Sequence, residues 1–279
     1  MSPAPAAAAP YQDLFIYYLS GRFRPGRAFR PDHYLGSWEE DNFSFLFFTR
    51  PNLDLVRQTI ARLPELELEL LDHYHMPYDQ WQGGPIGPCR IGRFSIVPPW
   101  QACEATQPEN TIILDPGVVF GTGTHPTTRD CLHALQLAFE DRTIQTTLDL
   151  GTGTGLLAIA AARLGCRRVL AADLNLLAAR TAHTNVGLNH LAEQILVVQG
   201  SAEKLIDLTS DLMVSNIHYD VMKNLIQCTG FLKKKHFILS GLTRKEALHI
   251  ESTLAELPVK VMRRWDQDGI WHTFYGSTG

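Results

Sequence analysis

Two patterns of hydrophobic and polar positions divide the chain. Between residues 11 and 83, the aromatic and β-branched runs DLFIYYLS and NFSFLFFT predict strands. The segment NLDLVRQTIARL has apolar residues at helical spacing and begins with Asn52, which we expect to act as its N-cap. The segment ELELELL alternates strictly, as a half-buried strand does. The order strand, strand, helix, strand predicts a small α+β unit.

From about residue 104, continuous apolar runs alternate with helical segments. Strands that are buried on both faces produce such runs. The predicted strands are TTLDL, RRVLAADL, ILVVQG, DLMVSNI and HFILSG. Their alternation with helices predicts an α/β fold with a parallel sheet. We therefore expect a disordered tail at 1–10, the small unit at 11–83, a Gly- and Pro-rich linker at 84–103 and the larger domain at 104–279.

Composition and charge narrow the class of protein. The 279 residues are 45% hydrophobic and 19% charged, which is typical of a globular protein. The formal net charge of −4 lacks the basic character that nucleic-acid-binding proteins usually have. Five cysteines without a C-x-x-C pair predict a reducing, cytoplasmic setting without a disulfide framework. We expect neither a signal peptide nor a membrane-spanning segment.

The stretch LDLGTGTGLLAIAAARLG places three glycines between a predicted strand and a predicted helix. Glycine at such a turn permits φ > 0 and the close approach of a ligand to the backbone. The spacing of Gly151, Gly153 and Gly155, G-x-G-x-G, differs from the dinucleotide fingerprint G-x-G-x-x-G. Asp173 ends the next strand, where a carboxylate accepts hydrogen bonds from ribose hydroxyls. This combination resembles the S-adenosylmethionine-dependent methyltransferases.

Two other loops carry polar residues that suit a ligand. DPGVVFGTGTHPTTRDCLHAL leads into a helix that Thr127 or Thr128 is expected to cap, and such a helix start is able to bind a carboxylate. DLMVSNIHYDVM ends a predicted strand with Asn216, whose amide oxygen is able to accept a hydrogen bond from an amine. Two roles stay open for Asp149: it holds the N–H groups of the glycine loop, or it binds the ammonium group of the ligand.

Taken in order, FGTGTHPTT, LDLGTGTGLLAIAAARLG and SNI resemble motifs of the PrmA family, the methyltransferases of large-subunit ribosomal protein eleven. RIGRFSIVPPW before them and GIWHTFYGS near the C-terminus are also similar to that family. The likeness is good over residues 84–279 and loose over 36–83. It implies a Rossmann-like, seven-stranded class I methyltransferase domain, preceded by a small α+β domain that recognises the substrate. It also implies methylated lysine side chains and a methylated N-terminal amine as products.

The resemblance implies cofactor contacts at Thr128, Gly151, Asp173 and Asn216. With the loop arguments, the expected S-adenosylmethionine contacts are Thr127, Thr128, Asp149, Gly151, Gly153, Gly155, Asp173, Ser201 and Asn216. The expected catalytic residues are Asn216, Ile217 and His218, and the expected substrate-lining residues are Phe120, His125 and Tyr219. For His218 we favour a pocket-lining role over that of a general base. No metal site is expected, because the pair His73 and His75 lacks a third ligand.

One segment departs from the β-α-β-β-α-β unit at the N-terminus of that family. GRFRPGRAFRPDHYLG stands where the first helix is expected, and its glycine and proline residues predict no helix. Its arginines are Arg22, Arg24, Arg27 and Arg30. They form either a solvated basic loop, which we favour, or a weak contact with ribosomal RNA. Because this domain is altered, another protein or a small amine stays open as the substrate.

The expected reaction is the displacement of a sulfonium methyl group by an amine of ribosomal protein eleven or another protein, in a monomeric, cytoplasmic enzyme. An NAD-dependent oxidoreductase is one alternative, because it shares the crossover fold and the ribose acid. The early third glycine argues against that alternative. A non-catalytic, ribosome-associated binding protein that keeps the fold without turnover is the other alternative.

Overall fold

The computed structural model describes residues 9–26, 29–102, 110–140 and 143–278. Arg27, residues 1–8 of the expected tail and residues 104–109 therefore lie outside the described residues. The chain divides into two compact units: Met1–Gly87 with Asn175–Leu177, and Pro88–Leu174 with Ala178–Gly279. In the ranges that the structure describes, no helix is both long and apolar enough to span a membrane. The domain boundaries and the cytoplasmic location stay predictions.

The smaller unit is a four-stranded antiparallel sheet with one long helix. Its elements are β1 (Asp13–Ser20), β2 (Tyr34–Glu40), β3 (Phe43–Phe48), α1 (Leu53–Arg62), β4 (Glu69–Pro77) and the short α2 (Tyr78–Trp81). The strand order is β2-β3-β1-β4, and each neighbouring pair is antiparallel. Strands β1 and β2 therefore run parallel on either side of β3, and residues 21–33 connect them.

The connection between β1 and β2 contains no helix among its described residues, as the sequence predicts. Phe23 in this connection is only 2% exposed and belongs to the core of the smaller unit. Its ring lies 5.1 Å from that of Phe29, which in turn lies 5.1 Å from the ring of Tyr34. An irregular segment thus supplies the apolar surface that a helix would otherwise supply.

Three expectations for the smaller unit need correction. The expected order strand, strand, helix, strand lacks β2, because its sequence YLGSWEE mixes glycine and acidic residues with apolar ones. The strand predicted over 65–71 begins only at Glu69, since Pro64–Leu66 forms a 3₁₀ turn and Glu67 has a φ of 48°. Asn52 precedes α1, but its side chain donates to the carbonyl oxygen of Arg50 and does not cap the helix.

The expected linker at residues 84–103 contains two strands of a small three-stranded sheet. The strands of this sheet are β5 (Cys89–Ile91), β6 (Phe94–Val97) and β7 (Thr111–Ile113). Strand β6 pairs antiparallel with β5 and parallel with β7. Ile91, Phe94 and Ile96 are buried in a hydrophobic core of the larger unit. These side chains therefore anchor the segment to that unit.

A seven-stranded sheet forms the centre of the larger unit and confirms the predicted α/β fold. Its strands are β8 (Thr146–Leu150), β9 (Arg168–Asp173), β10 (Ile195–Gln199), β11 (Ser210–Asn216), β12 (Lys234–Thr243), β13 (Val259–Gln267) and β14 (Trp271–Thr278). Their order is β10-β9-β8-β11-β12-β14-β13. Strand β14 is antiparallel to β12 and β13, and the other neighbours are parallel.

Helices cover both faces of this sheet. They are α3 (Pro126–Glu140), α4 (Leu156–Arg163), α5 (Leu176–Leu188), α6 (Ala202–Leu205), α7 (Tyr219–Leu225) and α8 (Arg244–Ala255). Successive side chains of a strand point to opposite faces. Leu212 and Val214 of β11 accordingly pack in one hydrophobic core with α3 and α4, and Met213 packs in another with α7 and α8. The continuous apolar runs of the sequence are thus strands buried on both faces.

Candidate active site

The carboxyl ends of β8, β9, β10 and β11 form one edge of the parallel part of the sheet. The strand order reverses beside β8, because β9 lies on one side of it and β11 on the other. Open α/β sheets bind ligands outside the carboxyl ends of the strands at such a switch point. Four of the expected site residues lie at these ends: Gly151 follows β8, Asp173 ends β9, Ser201 follows β10 and Asn216 ends β11.

The three glycines of the loop after β8 all have positive φ, 77° at Gly151, 55° at Gly153 and 84° at Gly155. A Cβ atom at Gly151 would overlap the side chain of Ile217, and one at Gly153 would overlap the main-chain oxygen of Phe120. Glycine is therefore required here both by backbone conformation and by the close packing of two neighbouring loops.

Two buried carboxylates lie beside the glycine loop. Asp173 is 9% exposed, and its Oδ2 accepts the N–H group of Gly153 at 3.0 Å. Asp149 is 1% exposed, and its Oδ2 accepts the hydroxyl of Thr152 at 2.6 Å. The Oδ1 atom of Asp149 has no partner among the described residues. Burial first, and then the negative charge of Asp173, raise the pKa of Asp149 to about 7.

The polar groups at this edge suit a cation better than a pyrophosphate. Two carboxylates at short range in a buried setting repel phosphate charge and attract a sulfonium or ammonium group. Asp149 Oδ1 and Thr128 Oγ1 are buried without a partner in the described part of the chain, a state that folded proteins rarely leave uncompensated. S-adenosylmethionine carries a sulfonium, an ammonium and two ribose hydroxyls, so the residues present fit it. They do not fit the pyrophosphate of NAD.

The threonine loop enters α3 earlier than the sequence predicts. The helix begins at Pro126, so Thr127 and Thr128 lie in its first turn, and the expectation that one of them is the cap is wrong. Proline is favoured at the first helical position, where no N–H group is needed. The carbonyl oxygen of His125 accepts the N–H groups of Thr128 and Arg129, each at 3.2 Å. Both threonine side chains are instead buried at 1% exposure.

The hydroxyl of Thr127 connects this loop to the end of β11. It lies 2.7 Å from Nδ1 of His125 and 3.2 Å from Nδ2 of Asn216. Burial lowers the pKa of His125, which favours a neutral ring. The amide oxygen of Asn216 makes no hydrogen bond with the described part of the chain. The contact fixes one side of the amide and leaves its oxygen available to a ligand.

After Asn216 the chain turns into α7. Ile217 is half-buried and packs against the glycine loop. His218 is exposed and precedes the first residue of α7 without a side-chain cap. The hydroxyl of Tyr219 lies 2.6 Å from Nδ1 of His249 on α8. The structure therefore brings Asn216 and Ile217 to the glycine loop, whereas the hydroxyl of Tyr219 is engaged by α8.

Two aromatic rings contact the ring of His125, the residue whose Nδ1 lies beside the hydroxyl of Thr127. Phe120 is 49% exposed, and its ring lies 5.1 Å from that of His125 in a T-shaped contact. The ring of Trp271 lies 5.0 Å from that of His125, also in a T-shaped contact. Trp271 is not among the residues predicted from the sequence. The motif GIWHTFYGS contains it, but only the pairing of Trp271 with Thr243 at the end of β12 reveals its position.

The remaining candidates have local partners or lie apart from this edge. Ser201 precedes α6, and the N–H group of the preceding Gly200 donates to the carbonyl oxygen of Asp173 at 2.9 Å. His75 Nε2 lies 3.0 Å from Asp13 Oδ1 in the smaller unit. Over the described ranges, no three histidine, cysteine or acidic side chains are grouped so as to hold a metal ion.

The arginine-rich connection between β1 and β2 makes contacts with the hairpin of β2 and β3. Arg24 pairs with the carboxylate of Glu39 at 3.0 Å. Arg22 donates through Nε to the main-chain oxygen of Asp41 at 3.1 Å. Arg30 is exposed. Part of the positive charge of this segment is thus directed at its own unit.

The strand order, the glycine loop with an acid at the end of the next strand and the asparagine at the end of β11 define a Rossmann-like class I methyltransferase. Residues 73–278 match the family model described as ribosomal protein L11 methyltransferase (PrmA). The chain belongs to this family.

Relatives of known name agree with this assignment. The ribosomal protein L11 methyltransferase of Enterococcus faecalis is 35% identical over 231 residues, which cover 79% of this chain and 72% of that protein. The protein of that name from Streptococcus pneumoniae is 39% identical over 189 residues, 67% of this chain and 59% of that protein. The chain thus spans less than two thirds of the second relative.

A crystal structure of a similar fold is also known. The ribosomal protein L11 methylase of Lactobacillus delbrueckii subsp. bulgaricus superposes with a TM-score of 0.60 at 29% identity. The superposition covers 69% of this chain and 98% of that one.

Proposed function

We propose that this chain transfers methyl groups from S-adenosylmethionine to amino groups of ribosomal protein L11, on lysine side chains, on the N-terminal amine or on both. The observation that carries the proposal is the amide of Asn216, which is fixed at the end of β11 with its oxygen available, beside a loop that suits a cationic nucleoside. The family membership and the names of the relatives supply the substrate.

The residues around the switch point divide into two roles. Asp173 would accept hydrogen bonds from the ribose hydroxyls. Asp149 and Thr128, whose Oδ1 and Oγ1 atoms have no partner in the described part of the chain, would hold the amino-acid part of the cofactor. The remaining cofactor contacts that we assign are Gly151, Gly153, Gly155 and Ser201. When bound, S-adenosylmethionine supplies an electrophilic methyl group on a sulfonium. On the substrate side, Phe120 and His125 line the approach of the amine, and the oxygen of Asn216 orients it.

The amine must lose its proton before it reacts. A free lysine has a pKa of about 10.4, so at pH 7 roughly one in two thousand is neutral, which corresponds to about 4.6 kcal/mol. A cationic cofactor bound beside the amine would disfavour the ammonium form and lower this cost. A dedicated base is therefore not required, and His218 is assigned a lining role. Positioning by the Asn216 oxygen and the Ile217 carbonyl supplies the main catalytic effect.

Charge supports a lysine-bearing protein as the partner. Residues 1–87 contain 7 arginines, no lysine and 11 acidic residues, which leaves 18 basic and 18 acidic residues for 88–279. The net charge of −4 therefore resides in the smaller unit, which suits a basic protein surface. The engagement of Arg22 and Arg24 by their own hairpin argues for a structural role over contact with RNA. The monomeric state stays a prediction.

The test combines labelled S-adenosylmethionine, purified ribosomal protein L11 and the Asn216→Ala variant. The natural chain should label L11, and the variant should lose about 100-fold or more in turnover while its affinity for S-adenosylhomocysteine changes little, because only the amine loses its acceptor. Asn224→Ala, on the exposed side of α7, is the matched control. Equal losses of turnover and of cofactor affinity would show that Asn216 is only a cofactor contact. Labelling of another protein in place of L11 would show that L11 is not the substrate.

A further inference from the structure

We propose that Thr127 is a positioning residue for methyl transfer, whose hydroxyl receives the NH₂ group of Asn216 and so turns the amide oxygen toward the substrate amine. This inference rests on the proposed function and goes beyond it, because it names the group that orients the catalytic amide. It also separates the two neighbouring threonines: Thr128 faces the cofactor, and Thr127 acts through Asn216.

The direction of the hydrogen bonds around Thr127 follows from counting donors. Nδ1 of His125 lies 3.3 Å from the main-chain N–H group of Thr127, which donates to it, so Nδ1 is an unprotonated acceptor. The hydroxyl of Thr127, 2.7 Å from the same Nδ1, therefore donates its single hydrogen to His125. Its oxygen is left only with lone pairs. Burial lowers the pKa of His125 and so favours the neutral ring, in which one of the two nitrogens is unprotonated.

This direction decides which way the amide of Asn216 points. An oxygen that has already used its hydrogen is able only to accept, so the Asn216 atom 3.2 Å away must be the donor Nδ2. Nitrogen and oxygen of an amide side chain are otherwise hard to distinguish, and here the network assigns them. The amide oxygen is then the atom beside Gly241, which lacks a side chain: a Cβ atom there would lie 2.9 Å from this oxygen.

The start of α3 is itself held in place, so Thr127 has little freedom to move. Ser240 of β12 donates through Oγ to the carbonyl oxygen of Thr127 at 3.4 Å. The same Oγ lies 2.6 Å from the hydroxyl of Thr273 on β14. Side chains of two strands thus hold the main chain at Thr127. The hydroxyl of Thr127 is fixed with it, and this fixed hydroxyl orients the amide of Asn216.

The experiment replaces the hydroxyl without changing the shape of the side chain. Thr127→Val should lower kcat about 10- to 100-fold, as misplaced reacting groups do, while the Kd for S-adenosylhomocysteine changes less than about threefold. Thr127→Ser should restore kcat to within a fewfold of the natural chain. Thr124→Val, an exposed threonine of the same loop, is the matched control and should leave both quantities unchanged.

A second measurement needs no turnover. In the cofactor-free protein, the side-chain ¹⁵N–H₂ signals of Asn216, assigned by their loss in Asn216→Ala, should shift in Thr127→Val and return in Thr127→Ser. Unchanged signals and an unchanged kcat in Thr127→Val would overturn the inference, and so would a loss of cofactor affinity as large as the loss of kcat. A natural chain without methyltransferase activity would instead contradict the proposed function, while the amide signals would still report on Thr127.

Discussion

At the residue scale, Asp149 is a carboxylate at a buried position. It lies in β8 between two hydrophobic cores, yet it carries a carboxylate whose Oδ1 has no partner among the described residues. A buried acceptor without a partner costs about 1–3 kcal/mol, and more when it is charged. The free protein lessens this cost by raising the pKa of Asp149 to about 7. A cationic ligand at the site would supply the missing partner.

This reasoning predicts a pH-dependent effect of Asp149→Asn on stability. Because the folded pKa lies above the ordinary value of 3.8, the stabilisation from protonated Asp149 is complete below about pH 4 and is lost as the pH rises through 7. The cofactor-free variant should therefore melt above the natural chain at pH 8, and the gap should narrow markedly at pH 5. S-adenosylmethionine should stabilise the natural chain more than the variant.

Thermal unfolding at the two pH values, with and without cofactor, measures these differences. Asp268→Asn removes an exposed carboxylate and is the control, for which we expect the same melting temperature as the natural chain at both pH values. A gap between Asp149→Asn and the natural chain that stays constant from pH 5 to pH 8 would contradict the assigned titration of Asp149.

At the element scale, an irregularity in β12 shapes the space beside Asn216. The pairing of β12 with β14 shifts register between Leu239 and Leu242. Within this bulge, Gly241 has a φ of 86°, and a Cβ atom there would lie 2.9 Å from Asn216 Oδ1 and 3.0 Å from the carbonyl oxygen of Ile217. Bulges next to active sites redirect the chain in this way. This one clears space beside the amide of Asn216.

Gly241→Ala should therefore impair catalysis as well as stability. Alanine at a positive φ costs about 1–2 kcal/mol wherever it occurs. Gly165→Ala is the matched control, because Gly165 has a φ of 102° and nothing within 4 Å of a Cβ atom. Both variants should lose stability in denaturant unfolding, Gly241→Ala the more because its Cβ atom also meets neighbouring atoms, and only Gly241→Ala should lose kcat, by about tenfold or more. Equal kcat values in the two variants would show that the bulge at Gly241 does not affect catalysis.

The elements that sequence reasoning predicts best are those whose signal is local. The strand TTLDL, the glycine loop and the acid Asp173 follow from apolar runs and fixed spacing, and the structure has β8 and β9 there. The contacts of Thr127, Trp271 and Gly241 arise between segments far apart in the chain, so the local pattern of hydrophobic and polar residues does not predict them. The late start of β4 depends on the left-handed Glu67, a residue type with no preference for that conformation.

At the scale of the whole molecule, charge is distributed unevenly between the two units. The smaller unit carries the entire net charge of −4, with acidic side chains such as Glu65 and Glu69 exposed, and the larger unit is neutral. Exposed charges of one sign attract a partner of opposite sign at long range. Salt weakens this attraction, which at 0.1 M extends only about 10 Å. If the small unit recognises a basic protein, binding of that protein should be weaker at high salt.

The double variant Glu65→Lys and Glu69→Lys tests this distribution, because it reverses two charges at exposed positions of the smaller unit and so changes its net charge by four units. We expect the KM for ribosomal protein L11 to rise severalfold at low salt, with kcat and the affinity for S-adenosylhomocysteine unchanged, since the lost attraction acts before the amine reaches the site. Raising the salt concentration should increase the KM of the natural chain and narrow its difference from the variant. Glu193→Lys with Glu256→Lys makes the same change of charge at exposed positions of the larger unit. If that control raises the KM equally, total charge and not the smaller unit governs the encounter with the substrate.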